Sequence, residues 1–375
     1  MRSVSHPLPW LPAILALLLV AQPVVPASAN GVGTVYVACE SDSSISVIDT
    51  NTNTVVEIVP LELPPLSLAF SPDARFVYVS HPGSNTISVV DTSIEQVGAT
   101  IRAGKQIGQI AVTAAGSWLL ATDPQEGRLR VIDLTTGREL FAVEVGGAPD
   151  SVVAPPDGSL AFVADRSSGV ISTVHLQKRS VLATTRTGQG PHPLAISPTG
   201  REVFVSDSNA DTLLVLDAST GQVARSISAG ASGTPVVFSP AGDLVYVART
   251  GRQDLAVVST SSGAADAAIP LREDAAGLGI SRDGTRAYAS FKDADRVAIV
   301  DLTRRSVAAE IAVEKGPAFI AVSPLQPTAQ RVVLPSGLPN TGAAAGPDSA
   351  RPLATLLLVL GSAAVAVGAL ARHRG

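Results

Sequence analysis

Three aspartates, Asp123, Asp165 and Asp207, stand 42 residues apart in a chain of 375. Carboxylates at one repeated position offer hard oxygen ligands of the kind a divalent cation takes. The series continues through Cys39, His81, Arg249 and Phe291 at the equivalent places of other repeats. Asp150 and His192 fall in loops that the same pattern brings to the same rim. Two readings compete here: a rim that holds a cation or a partner, and loop carboxylates that are simply solvated, the ordinary state of Asp on a protein surface. No catalytic residue and no metal ligand is assigned from them. Arg249 and Phe291 are the expected anchors of a partner, because arginine and aromatic side chains dominate binding hot spots.

The remaining chemistry is sparse. There is no G-x-S-x-G elbow, no H-E-x-x-H and no glycine-rich phosphate loop after a strand. His81, His175 and His192 are the histidines of the repeated region, and His175 stands where most repeats have a turn aspartate. A lone cysteine, Cys39, excludes a disulfide framework and paired-cysteine metal or haem motifs. It reads as a small buried residue.

The elements that must position these residues repeat with a constant step. Strand-like triplets begin at Val35, Val77, Leu119, Ala161, Val203, Val245 and Ala287, each 42 residues from the last. ISVID at Ile45, ISVVD at Ile87 and LRVID at Leu129 open a second series, and LAFSP at Leu68 and LAISP at Leu194 belong to a third. Seven copies without insertion or deletion are the mark of a repeat architecture. Each period has room for four short strands, A to D from the inside out, with Ser-Pro-Asp-Gly-like turns between A and B. Asp49, Asp91, Asp133, Asp217 and Asp301 close strand C, where a carboxylate caps the next turn's amides. Strand B is apolar on both faces, as expected where sheets stack face to face. Strand A keeps one small position, Ala69, Ala111, Val153, Ala195, Val237, Gly279 and Ala321, which crowding about a shared axis demands.

These features predict an all-β, seven-bladed β-propeller of four-stranded antiparallel blades over residues 30–323. The first blade is expected to pair an N-terminal B-C-D set with a C-terminal A strand, a three-plus-one closure that leaves no open edge. A ring of constant period lacks the elaborated loop that a dedicated active site usually has.

The two ends of the chain carry other signals. Residues 1–29 read as a secretory signal peptide, with Arg2, an apolar stretch from Leu11 to Val20, and cleavage by signal peptidase after Ala29. Residues 353–371 hold no charge and would span about 28 Å as a helix, close to the hydrocarbon core of a bilayer. A basic tail over 372–375 keeps that end cytoplasmic by the positive-inside rule. Without the two ends, which hold Arg2, Arg351, Arg372, Arg374 and Asp348, 23 Lys and Arg face 31 Asp and Glu, a net of −8. An acidic body without a basic cluster argues against nucleic acid as a partner.

At the "VYV", "ISVIDT" and "AFSPDARFVYV" stretches the chain resembles the YVTN-type β-propeller repeat proteins of surface layers and other exported proteins. The resemblance covers Val35 to Ser323 and departs at Trp118, His175 and Ser259. It implies an exported propeller that acts as a surface binding scaffold for a protein, glycan or wall component. Some seven-bladed relatives are hydrolases, so the alternative it implies is a lactonase-like enzyme with a metal at the Asp123/Asp165/Asp207 rim. Beyond a linker over 324–337, Leu338-Pro339-Asn340-Thr341-Gly342 resembles the LPxTG sorting signal of Gram-positive surface proteins. That resemblance implies a membrane-held precursor, cleavage by sortase after Thr341, and covalent attachment to cell-wall peptidoglycan.

Overall fold

Runs such as Thr34–Cys39 (TVYVAC) and Leu244–Arg249 (LVYVAR) are β-branched and aromatic on both sides, and each forms the second strand of a sheet with its central residues buried. A computed structural model of the chain describes residues 33–324, apart from 189, 208–210, 231–234 and 267, and apart from the side chains of His192 and Asp207. The expected signal peptide with its cleavage site at Ala29, the linker beyond Pro324, the LPNTG motif, the apolar run 353–371 and the basic tail lie outside the described residues.

The described residues form seven four-stranded antiparallel sheets, the blades of a β-propeller. Blade 2 shows the pattern: A (Ser67–Phe70), B (Phe76–Ser80), C (Thr86–Asp91) and D (Gln96–Arg102), each paired to the next. Strands D alternate and are largely exposed, as outer strands must be. In six blades strand D meets strand C through a register shift at the same place, for example between Val131 and Ile132 in blade 3. A bulge there twists the outer edge and blunts it against pairing with another chain. Blade 6 departs: its D strand is only Ile269–Pro270, supplemented by a bridge between Val258 and Ala265.

Closure is three-plus-one. Pro317–Val322 is strand A of blade 1 and pairs with Thr34–Cys39, from Val35 opposite Val322 to Cys39 opposite Pro317. The Ser323 amide donates to the Thr34 carbonyl at 2.9 Å, so the chain enters and leaves the ring side by side. The small position on strand A has the expected cause. A Cβ built on Gly279 would stand 2.8 Å from the side chains of Ile320 and Val322 in the next blade.

The face formed by A–B and C–D turns is capped from within. Asp49, Asp91, Asp133, Asp217 and Asp301 each accept backbone amides of their own turn at 2.7 to 3.4 Å. Where the aspartate is replaced the cap persists, from Lys178 to His175 Nδ1 and from Ser262 to Ser259 Oγ. Ser71, Ser197, Ser239 and Ser281 do the same for the A–B turns, accepting the amides of Phe76, Glu202, Leu244 and Arg286.

Candidate binding face

The opposite face carries the B–C corners and D–A loops, and the varied series sits at its corners. Strand B delivers each of these residues as its last or next position, which fixes the direction of its side chain. For the described side chains that direction is inward. Asp123 is 0% exposed and Phe291 1%; Cys39, His81 and Asp165 are buried, and Arg249 is half-buried.

Each inward side chain finds its partners inside its own blade, several of them on strand C seven residues on. Cys39 Sγ lies 3.5 Å from Ser46 Oγ. His81 Nε2 lies 2.7 Å from Ser88 Oγ, while its Nδ1 lies 3.0 Å from the Pro64 carbonyl. The carbonyl can only accept, so Nδ1 carries the proton and the Ser88 hydroxyl donates to Nε2. Burial pushes the His81 pKa down, which keeps the ring neutral in this arrangement. A base beside a hydroxyl is the geometry of an activated serine, yet His81 is 1% and Ser88 8% exposed, sealed within the blade.

Blade 3 makes the largest investment. Asp123 Oδ2 accepts Arg130 Nε at 2.8 Å and the Lys105 amide at 3.0 Å, while Oδ1 accepts the amides of Gln125 and Glu126. Arg130 also holds Glu126 and Glu139, so one buried guanidinium meets three carboxylates. Burial raises the Asp123 carboxyl, but the Lys105 amide and Arg130 outweigh it and hold the group below its ordinary range. Asp165 is likewise pushed up by burial and pulled further down by Ser167 and Ser168, which donate through both hydroxyls and amides. Arg249 forms a two-point contact with Asp254 at 2.6 and 2.5 Å.

The described side chains of the varied series are therefore internal. The oxygens of Asp123 accept from Arg130, the Lys105 amide and the amides of its own turn, those of Asp165 accept from Ser167 and Ser168, and Phe291 lies with Ala298 in the core instead of standing out as an anchor. Among the described residues no three His, Cys, Asp or Glu come together as a metal cage. Asp150 lies half-buried beside exposed Arg166; of His192 and Asp207 only the backbone is described, on the first and second strands of blade 5.

The outward ring is one residue further on. Side chains of extended backbone alternate between faces, so a shift of one position exchanges inside for outside. Glu40, Pro82, Pro124, Arg166, Thr250 and Lys292 follow the inward residues, and all are partly or fully exposed. Pro124, Arg166, Thr250 and Lys292 line concavities of this face. A groove of 560 Å³ between blades 6 and 7 is walled by Thr250, Gln253, Asp274, Lys292 and Asp293. Asp274 receives the Gly251 amide at 2.8 Å, Glu273 is tied to Arg296, and Lys292 reaches Glu40. A second hollow of 370 Å³ lies between blades 3 and 4, beside Pro124, Asp150 and Arg166. A third, of 200 Å³, lies among the inner strands about the axis. The sequence signal for the outward ring was available: it is the 42-residue series that starts at Glu40 instead of Cys39.

No protein-family model matches the chain, and no curated protein matches it. Solved structures do. The chain is similar to Kuenenia stuttgartiensis hydrazine synthase, with a TM-score of 0.63 and 20% identity over 70% of this chain and 91% of that one. It is also similar to a functionally unknown protein from Desulfotomaculum acetoxidans, with a TM-score of 0.68 and 14% identity over 77% and 98% of the two chains. At such identity the likeness is one of fold.

Proposed function

We propose that the propeller is a non-enzymatic binding scaffold of the cell surface and takes its partner on the face of the B–C corners and D–A loops. One observation carries this reading: the hollows between blades 6 and 7 and between blades 3 and 4 lie on that face, among exposed polar side chains that the fold does not dictate, whereas the opposite face is occupied by self-capped turns. A rigid ring that presents such side chains loses little conformational entropy on binding. The groove between blades 6 and 7 mixes Asp274 and Asp293 with Lys292, Thr250 and Gln253, a hydrogen-bonding set suited to a surface protein or a glycan. Thr250, Lys292 and Asp293 replace Phe291 as the anchors.

Surface display rests on the sequence. A YVTN-type exported propeller, a signal peptide cut after Ala29, the LPNTG motif and the apolar run with its basic tail together read as a membrane-bound precursor that sortase joins to peptidoglycan through Thr341.

The test is made on Gram-positive cells. Wild type is expected in the wall fraction and Thr341→Ala in membrane or medium. On wall-displayed protein, Lys292→Glu with Asp293→Lys is expected to weaken binding to purified wall glycan or surface-protein fractions by about tenfold or more. An intact Thr341–Gly342 bond in wall material overturns the anchoring. Equal loss from substitutions at the A–B turns, with the groove variant binding normally, overturns the choice of face.

A further inference from the structure

Each C–D turn holds one residue at positive φ that lies against the blade before it. The series is Asn53, Glu95, Gly137, Arg179, Gly221, Gly263 and Arg305, with φ between 52 and 71. Arg305 joins Asp266 of blade 6 at 2.7 Å, and Arg179 stands 4.7 Å over the Phe141 ring of blade 3. The Asn53 side-chain oxygen accepts Arg286 of blade 7 at 3.2 Å, and the Gly221 carbonyl accepts Thr185 of blade 4 at 2.7 Å. A Cβ added to Gly137 or Gly263 would touch Ile101 or Ile227 of the blade before. The position is thus a clasp between neighbouring blades, and Glu95 is its one acid.

Glu95 Oε1 accepts the Tyr36 hydroxyl of blade 1 at 2.6 Å, while its Oε2 is buried without a hydrogen-bond partner. Burial first, and Glu95 second, push the Tyr36 hydroxyl up, so the phenol stays protonated and donates. The charges that act on Glu95 are both negative: Glu57 on strand D of blade 1, and Asp91 at the end of strand C of its own blade. Arg75, whose carbonyl accepts the Thr92 amide of the same turn, stands over the Phe76 ring and acts on Asp73 and Asp91. A carboxylate closed off with one hydroxyl and no counter-charge is costly, and the neutral acid much less so. Burial pushes the Glu95 carboxyl up to about 7; the Tyr36 hydrogen bond opposes this, and Glu57 and Asp91 add to it.

We propose that Glu95 makes the contact between blades 1 and 2 a pH-sensitive clasp, closed while the carboxyl carries a proton and weakened when it ionises. Blade 1 is the blade of the three-plus-one seam, so the clasp holds the ring beside its closure. It lies on the face of self-capped turns, and neither it nor the groove between blades 6 and 7 needs the other. The sign follows from linkage. The folded value is raised above the ordinary 4.5, so the linked stability is full below that value and is lost as pH rises through about 7. Glycine, asparagine and arginine, which hold the other six places, do not titrate in that range.

The test is urea unfolding of the full chain, followed by circular dichroism from about pH 5 to about pH 8. Glu95→Gln is the comparison, since it keeps the size and the acceptor for Tyr36 and cannot ionise. The ratio of the two unfolding constants, wild type over variant, is expected to rise about tenfold or more across that range. Tyr36→Phe removes the hydroxyl that favours the anion, so it should move the loss of stability to higher pH, and it serves alone should Glu95→Gln fail to fold. Hydrogen exchange, corrected for its intrinsic rise with pH, should quicken in the C–D turn of blade 2 and not in that of blade 4, where Arg179 holds the place. Parallel stability profiles for wild type and Glu95→Gln overturn the proposal. A loss that Tyr36→Phe leaves in place or moves to lower pH does so too, as does exchange that quickens equally in both turns.

Discussion

The B–C corners of blades 3 and 7 have the same backbone and opposite interiors. Both place their last strand-B residue inward in the same register, Asp123 opposite Arg128 and Phe291 opposite Arg296. Blade 3 fills the space with a carboxylate, a guanidinium and two further glutamates; blade 7 fills it with a ring and Ala298. The preceding loop is adjusted to match. Gly104, at φ +58, leaves room that a Cβ would take from Arg130 and Asp123, whereas Arg272 holds the equivalent place at φ 78 with a full side chain. The contrast teaches that variation at equivalent positions is not by itself a sign of binding. A propeller corner needs a filled and hydrogen-bonded interior, and each blade has found its own solution.

The contrast can be broken from either side. Arg130→Met should have the largest effect, a loss of about 4 kcal/mol in denaturant unfolding at pH 7, because it leaves the buried Asp123 charge without its counter-charge, with only backbone amides to hold it. A loss below about 1 kcal/mol would mean that water replaces the guanidinium, and the corner is not sealed. Phe291→Ala should cost about 3 kcal/mol through the cavity it leaves, with no change in the acid limb of the stability profile.

Transplanting the apolar solution sharpens the comparison. Asp123→Phe with Arg130→Ala should change stability at pH 7 by less than about 1.5 kcal/mol, since well-packed apolar residues often replace a buried ion pair at little cost. The sign of its pH dependence follows from Asp123, whose folded pKa lies below the ordinary value of 3.8. Stability from that group is present above the unfolded value and is lost as pH falls through the depressed folded value. The double variant should therefore lose less stability than wild type as pH falls below the ordinary carboxylate value. Parallel acid profiles for the two proteins would show that the ion pair carries none of that dependence.

The ring itself was legible because its constraints recur. Seven anchors at one step, the small position on strand A and the aspartate after strand C each follow from a backbone that repeats. The corner was misjudged because a polar residue after a strand can face solvent or its own turn, and only the register decides. Arg130 was the available clue: its equivalents are Ser46, Ser88, Ser172, Leu214, Ala256 and Ala298, so a cation in that company needed a buried acid nearby. Asp274 and Asp293 follow no such series, and only the fold shows that they share a groove with Lys292. Tyr36 and Glu95 are 59 positions apart and become neighbours only when blades 1 and 2 pack.

The seam between Thr34–Cys39 and Pro317–Val322 has one more consequence, which concerns presentation. Strand B begins, and strand A ends, at the A–B turns, so Thr34 and Ser323 both meet the face opposite the hollows. A propeller gripped by either end is thus gripped from behind. Any surface holding it shadows the self-capped turns first and leaves the grooved side looking outward, where large partners can approach without meeting the support.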